Sequence, residues 1–125
     1  MSWFDGEAHR SEVIDTADEG SALLRSERVD GDELPPLLDF QHPDGGPSLT
    51  IGADDPTVVT YQDLDPPYYV SVGSEQAVGT MWFQFGGSES EFLASSAVRA
   101  ESAVEALRQF FESADLPDAI VWTEV

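Results

Sequence analysis

Between residues 103 and 114 the apolar side chains Ala103, Val104, Leu107, Phe110, Phe111 and Ala114 recur at steps of three and four, the period of one helix face. Glu101, Ser102, Glu105, Arg108, Gln109 and Glu112 fall mostly on the opposite side. Such a helix is stable only when a half-apolar surface covers it, so Leu107, Phe110 and Phe111 are expected to lie on a sheet. Pro117 imposes an extended or turn conformation behind the helix, and 119–124 alternates like a strand around Trp122. Ahead of the helix, 79–85 reads as a strand that stops at Gly86-Gly87.

The 125 residues are expected to form one domain, spanning 1–125, long enough for one real core. No apolar run approaches the roughly 18 residues of a membrane span. Met1-Ser2-Trp3-Phe4-Asp5 lacks the basic and apolar stretches of a signal peptide, so the expected compartment is the cytoplasm. The chain has no cysteine, which excludes disulfides, a thiolate nucleophile and cysteine-based metal sites.

Upstream of the helix, 9–15 contains a candidate first strand around Val13 and Ile14, followed by a short helix over 19–28 with Leu23 and Leu24 buried and Thr16 or Asp18 as its cap. Pro35-Pro36 marks a junction. Beyond it, short alternating runs separated by Gly, Pro and Asp read as an antiparallel meander: Leu38 and Phe40, Leu49 and Ile51, Val58 to Tyr61, Tyr69 to Val72. The expected fold is therefore α+β, with an antiparallel meander sheet of five to six strands and two helices packed on one face.

The residues carry no recognisable catalytic apparatus. Gly86-Gly87 and Gly45-Gly46 lack the Lys and Ser/Thr of a phosphate loop, and Asp30-Gly31-Asp32-Glu33 lacks the alternating ligands of a calcium loop. His9 and His42 are not in metal-ligand spacing, and no serine stands in a nucleophile-elbow context. With 25 acidic residues, paired carboxylates arise by chance and identify no hydrolase. The expectation is a protein that is not an enzyme and takes no cofactor and no metal.

Charge narrows the partner instead. The 25 acids stand against five arginines and no lysine, for a formal net charge of −20, a field that repels nucleic acid and anionic membranes and attracts a basic protein. A solubility trait, adaptation to high internal salt and a GC-rich genome are bland causes of the same bias. Tyr and Trp anchors beside acidic turns are typical of protein-binding patches. Here they single out Asp54, Asp55, Tyr61, Asp63, Asp65, Tyr68, Tyr69, Glu75, Glu89 and Glu91 as candidate partner-binding residues. Tyr68, beside Pro66-Pro67, is expected at the surface, and Trp82 and Trp122 in the core.

The run Ala103-Val104-Glu105-Ala106-Leu107-Arg108-Gln109-Phe110-Phe111, then Pro117, then Ile120-Val121-Trp122-Thr123-Glu124, resembles the C-terminal pattern of the type-one Imm family of bacterial immunity proteins from polymorphic toxin systems. Members typically end in an alanine-rich helix with Phe, a Pro a few residues on and a hydrophobic strand closing in Trp. The middle of the chain is consistent, with Leu49-Thr50-Ile51 after an acidic Gly-Pro turn, Val58-Val59-Thr60-Tyr61, and an aromatic strand ending in Gly86-Gly87. The order and spacing are also similar to a member that neutralises an interbacterial DNA cytosine deaminase toxin. The resemblance implies a cytoplasmic antitoxin that binds the catalytic domain of a cognate toxin, a nucleic-acid deaminase, and occludes its active site. The alternative is a small acidic binding or regulatory domain of a salt-adapted organism.

These two readings differ in salt requirement. An immunity protein is expected to give a cooperative melt, followed by circular dichroism, in ordinary low-salt buffer. A salt-adapted domain would fold only in molar salt, where its self-repulsion is screened.

Overall fold

The computed structural model describes residues 2–4, 12–13, 22, 34–41, 47–63, 68–74, 76–85, 88–113 and 116–124. The strands are β1 (Ser2–Phe4), β2 (Glu12–Val13), β3 (Leu37–Gln41), β4 (Ser48–Gly52), β5 (Val59–Gln62), β6 (Tyr69–Val72), β7 (Thr80–Phe85), β8 (Ser88–Leu93) and β9 (Val121–Glu124). A 3-10 turn (Ala94–Ser96) and helix α1 (Ala100–Ser113) lie between β8 and β9. Seven strands form one antiparallel sheet in the order β2-β1-β3-β4-β5-β6-β9, and β7 and β8 form a separate hairpin.

The α+β character and the meander from β3 to β6 are as expected. Three features differ. The main sheet gains β1, holds the expected strand around Val13 as β2 at the same edge and the expected closing strand as β9 at the other, giving seven strands in place of five to six. The segment 79–85 does not complete that sheet but leaves it to pair with 88–93, a strand whose Ser-Glu-Ser-Glu alternation offers few apolar residues to notice. Among the described residues the bounded helical elements are one helix and one 3-10 turn in place of two helices. Of the expected helix over 19–28, only residue 22 is described and is helical, and the rest lies outside the described residues.

Strand periodicity explains why the hairpin leaves the sheet. In β3, Leu38 and Phe40 point to one face and Leu37 and Asp39 to the other; Val59 and the preceding Val58 diverge in the same way. Leu38, Phe40, Leu49, Ile51, Val59 and Tyr61 meet Ala103, Ala106, Leu107 and Phe110 of α1 in one core. Leu37 and Val58 meet Phe83 on the opposite face, with Met81, Phe85 and Phe92 packed around them. The sheet is thus covered by the helix on one side and by the hairpin on the other. Gly52 makes the second contact possible, because a β-carbon there would collide with the Phe83 ring and come within 2.7 Å of Thr57 Oγ1.

The chain crosses from hairpin to helix around the end of the sheet through several polar ties. Ser71 donates its hydroxyl to the Ser96 carbonyl at 2.7 Å and accepts the Val59 N–H at 3.1 Å. Thr57 and Val98 exchange backbone hydrogen bonds of 2.8 Å in both directions. These bonds satisfy buried polar groups that would otherwise cost about 1–3 kcal/mol each. Past the helix, Gln109 accepts the Ala119 N–H at 2.9 Å, and the Trp122 indole donates to the Pro117 carbonyl at 2.7 Å. The helix, Pro117 and Trp122 therefore form one connected unit, and Trp122 sits half-buried against the core as expected.

The N-terminus of α1 is capped from a distance. Neither Val98 nor Arg99 carries a capping side chain, and the Ala100 N–H donates instead to Asp55 Oδ1 at 3.0 Å, 45 residues earlier in the chain. Asp55→Ala is expected to lower the unfolding free energy in urea by about 1 kcal/mol. Asp54→Ala, whose carboxylate accepts the neighbouring Asp55 N–H, serves as the comparison and should cost less.

Candidate functional surface

The helix-free face of the sheet and the hairpin do not close completely on each other. Between them lies an open groove of about 640 Å³. Its floor follows one row of cross-strand neighbours, Asp39 opposite Thr50, Thr50 opposite Thr60 and Thr60 opposite Val70. Phe85 and Phe92 of the hairpin form a wall, and Tyr68, Glu91 and Leu93 stand at its rim.

The hairpin's other face is turned to solvent. Because β7 alternates, Met81, Phe83 and Phe85 face the sheet while Trp82 points away from it. Trp82 is consequently 43 % exposed, which corrects its expected core position. It lies directly across from Glu91, with Gln84 and Glu89 as the next pair. Leu93, 65 % exposed, and Val78, 91 % exposed, add apolar surface on the same element and on the loop leading into it. An exposed Trp among acids and aliphatics resembles the anchor-and-rim composition of protein interfaces.

The candidate residues separate on this frame. Tyr68 and Glu91 line the groove, Tyr69 contributes to its lining while its ring packs beside Tyr61 against the helix-side core, and Glu89 lies on the outward face of the hairpin. Tyr68 is 38 % exposed, at the surface as expected. Tyr61 is only 9 % exposed, a core ring with edge contacts to Phe110 and Trp122, 6.2 and 6.4 Å between centroids. Burial removes it from any contact surface. Asp54 and Asp55 are exposed but do not line the groove, and Asp55 serves the helix cap. Asp63 is exposed at the end of β5. Asp65 and Glu75 lie outside the described residues.

Asp39 was not among the candidates, because an acid in the middle of Leu37-Leu38-Asp39-Phe40 reads as a polar face position. It is half-buried on the groove floor, accepting the Thr50 hydroxyl at 3.2 Å and, more weakly, the Gln41 amide at 3.5 Å. Burial pushes its carboxyl above the ordinary value, against the lowering effect of hydrogen bonds from Thr50, Gln41 and Ser48. The two described arginines are engaged elsewhere. Arg99 pairs with Glu101 at 2.9 Å, and Arg108 bridges Glu105 and Glu112 on the solvent side of α1. The Arg108 guanidinium holds the Glu105 carboxyl below the usual range.

Among the described residues no three His, Cys, Asp or Glu side chains are placed to hold a metal ion, and no helix is long and apolar enough to cross a membrane.

The profile of the family described as "Immunity protein Imm1" matches residues 8–124. The chain is also 31 % identical over 125 residues to a "Double-stranded DNA deaminase immunity protein" of Burkholderia cenocepacia (strain H111). That alignment covers 98 % of this chain and 96 % of the relative.

The raised Asp39 carboxyl has a consequence for stability. A group that binds its proton more tightly when folded favours folding below its ordinary value of 3.8, and that contribution is lost as pH rises through the folded value. At neutral pH the charged, desolvated carboxylate therefore burdens the native state. Asp39→Asn is expected to be more stable than the parent in urea at neutral pH, with the difference shrinking as the pH falls through the raised folded value and gone below 3.8.

Proposed function

The chain belongs to the Imm1 immunity protein family, and from that premise we propose that it is the cytoplasmic antitoxin of a polymorphic toxin whose catalytic domain is a DNA deaminase. The near-full-length match to an immunity protein named for a double-stranded DNA deaminase is the observation that carries the choice of toxin. The chain acts by binding, without catalysis, a cofactor or a metal. It covers the toxin's active site and keeps polynucleotide out.

Physical features support this reading. An enzyme that handles DNA presents cationic groups to phosphate, and a chain of net charge −20 competes for that surface. The described arginines are paired within their own helix region, so they do little to offset the acids of the hairpin. We place the docking surface on the hairpin side of the sheet, with Trp82 as an anchor beside Glu89 and Glu91, and Tyr68 in the adjoining groove. The same negative field disfavours nucleic acid and anionic membranes as partners of the antitoxin itself.

Coexpression with the C-terminal domain of the toxin encoded beside it provides the test. Cells carrying the pair are expected to survive, the two proteins to copurify, and uracil formation in DNA by the toxin to cease when the antitoxin is added. Continued toxicity in the presence of folded antitoxin would overturn the assignment. Trp82→Ala is expected to raise the dissociation rate by an amount equivalent to roughly 2 kcal/mol while leaving the antitoxin folded.

A further inference from the structure

The acid on the groove floor has no evident structural purpose. Thr50 and Thr60 continue the same cross-strand row, and a third Thr or a Val at position 39 would complete it without a desolvated charge. Local choices that conflict with the surrounding fold concentrate at functional sites. Asp39 also keeps unused capacity. An ionised carboxylate has about four acceptor positions, whereas its side-chain donors are Thr50 at 3.2 Å, Gln41 at 3.5 Å and Ser48. Among the described residues no cation stands beside it, since Arg99 and Arg108 are held by Glu101, Glu105 and Glu112.

Resting on the antitoxin reading above, we propose that the groove receives an arginine side chain of the toxin's DNA-binding surface, and that Asp39 is the carboxylate that pairs with it. Charge complementarity selects the occupant. The groove belongs to a chain of net charge −20, its mouth carries Glu91, and its floor ends in a carboxylate lacking a cation among the described residues. Its walls favour arginine over lysine. The guanidinium is planar, more weakly hydrated than an ammonium and able to lie against aromatic surfaces such as Phe92 and Tyr68 while its fork meets the carboxylate. A toxin arginine held there is unavailable to phosphate, so one contact both anchors the complex and disables DNA binding.

Proton linkage distinguishes this contact from rim electrostatics. The free carboxyl is raised by burial, and an arriving guanidinium lowers it, so binding releases a proton and affinity rises with pH through the raised value. The other titratable groups lining the same groove are Tyr68, Tyr69 and Glu91. The facing residues of the other packed strands, Ser48, Thr50, Thr60, Gln62, Val70, Phe85, Ser90 and Phe92, do not titrate.

The experiment measures association and dissociation rates of a catalytically inactivated toxin domain with the full chain, as parent, Asp39→Asn and Glu91→Gln, from acid to neutral pH. Asp39→Asn keeps the shape of the side chain and its acceptor for Thr50. It is expected to speed dissociation on the order of tenfold to a hundredfold, because it leaves a buried guanidinium unpaired, and to flatten the pH profile of affinity. Its thermal unfolding reports that the fold is intact. Glu91→Gln is expected to act on association and its salt dependence, and to keep the pH profile. If the parent binds and Asp39→Asn binds with the same dissociation rate and the same pH profile, the inference is wrong. A parent that fails to bind the toxin overturns the antitoxin assignment itself.

Discussion

Adjacent apolar residues in a strand point to opposite faces of a sheet, and the chain places such pairs at Leu37-Leu38 and Val58-Val59 in its central strands. A sheet built on them exposes apolar surface to water on one side unless both faces are covered. At roughly 25 cal/mol per Å² of apolar surface buried, leaving a face bare is costly. The helix satisfies one face and the β7–β8 hairpin the other. Much else depends on this double cover, including the Gly52 contact with Phe83, the polar ties around the sheet end and the groove left where the hairpin cover is incomplete.

The two covers are unequal. Small and large residues alternate on the buried side of α1, with Ala103 and Ala106 beside Leu107 and Phe110, so the helix lies close against the sheet. The hairpin meets the other face mainly through Phe83, with partly buried Met81, Phe85 and Phe92 around it. The tightly packed face holds the fold. The loosely covered face leaves Asp39 half-solvated on the groove floor, and the hairpin's outer side exposes Trp82.

The charge pattern follows the same division. On the helix, Glu105, Arg108 and Glu112 are spaced three and four apart and satisfy one another locally. On the hairpin side, Asp39, Glu89 and Glu91 face the groove or solvent with no such arginine on their strands.

The residue pattern determined on its own the elements with a strong period or a covalent constraint. These include the helix over 103–113, the alternating strands from 37 to 72, the turn at Pro117 with its following strand, and the family to which these features belong. Such features are local, since a helix face or a strand alternation is written within a dozen residues. Only the tertiary structure decided the rest. It moved 80–85 out of the sheet, buried Tyr61, exposed Trp82 and set Asp39 on a groove floor. It also recruited Asp55 from a distant loop to cap a helix whose own flanking residues cannot. Each of these depends on which face of an element meets a partner far away in the chain. A period of two or of 3.6 says that two faces differ, but the identity of the covered face is fixed only when the whole sheet packs.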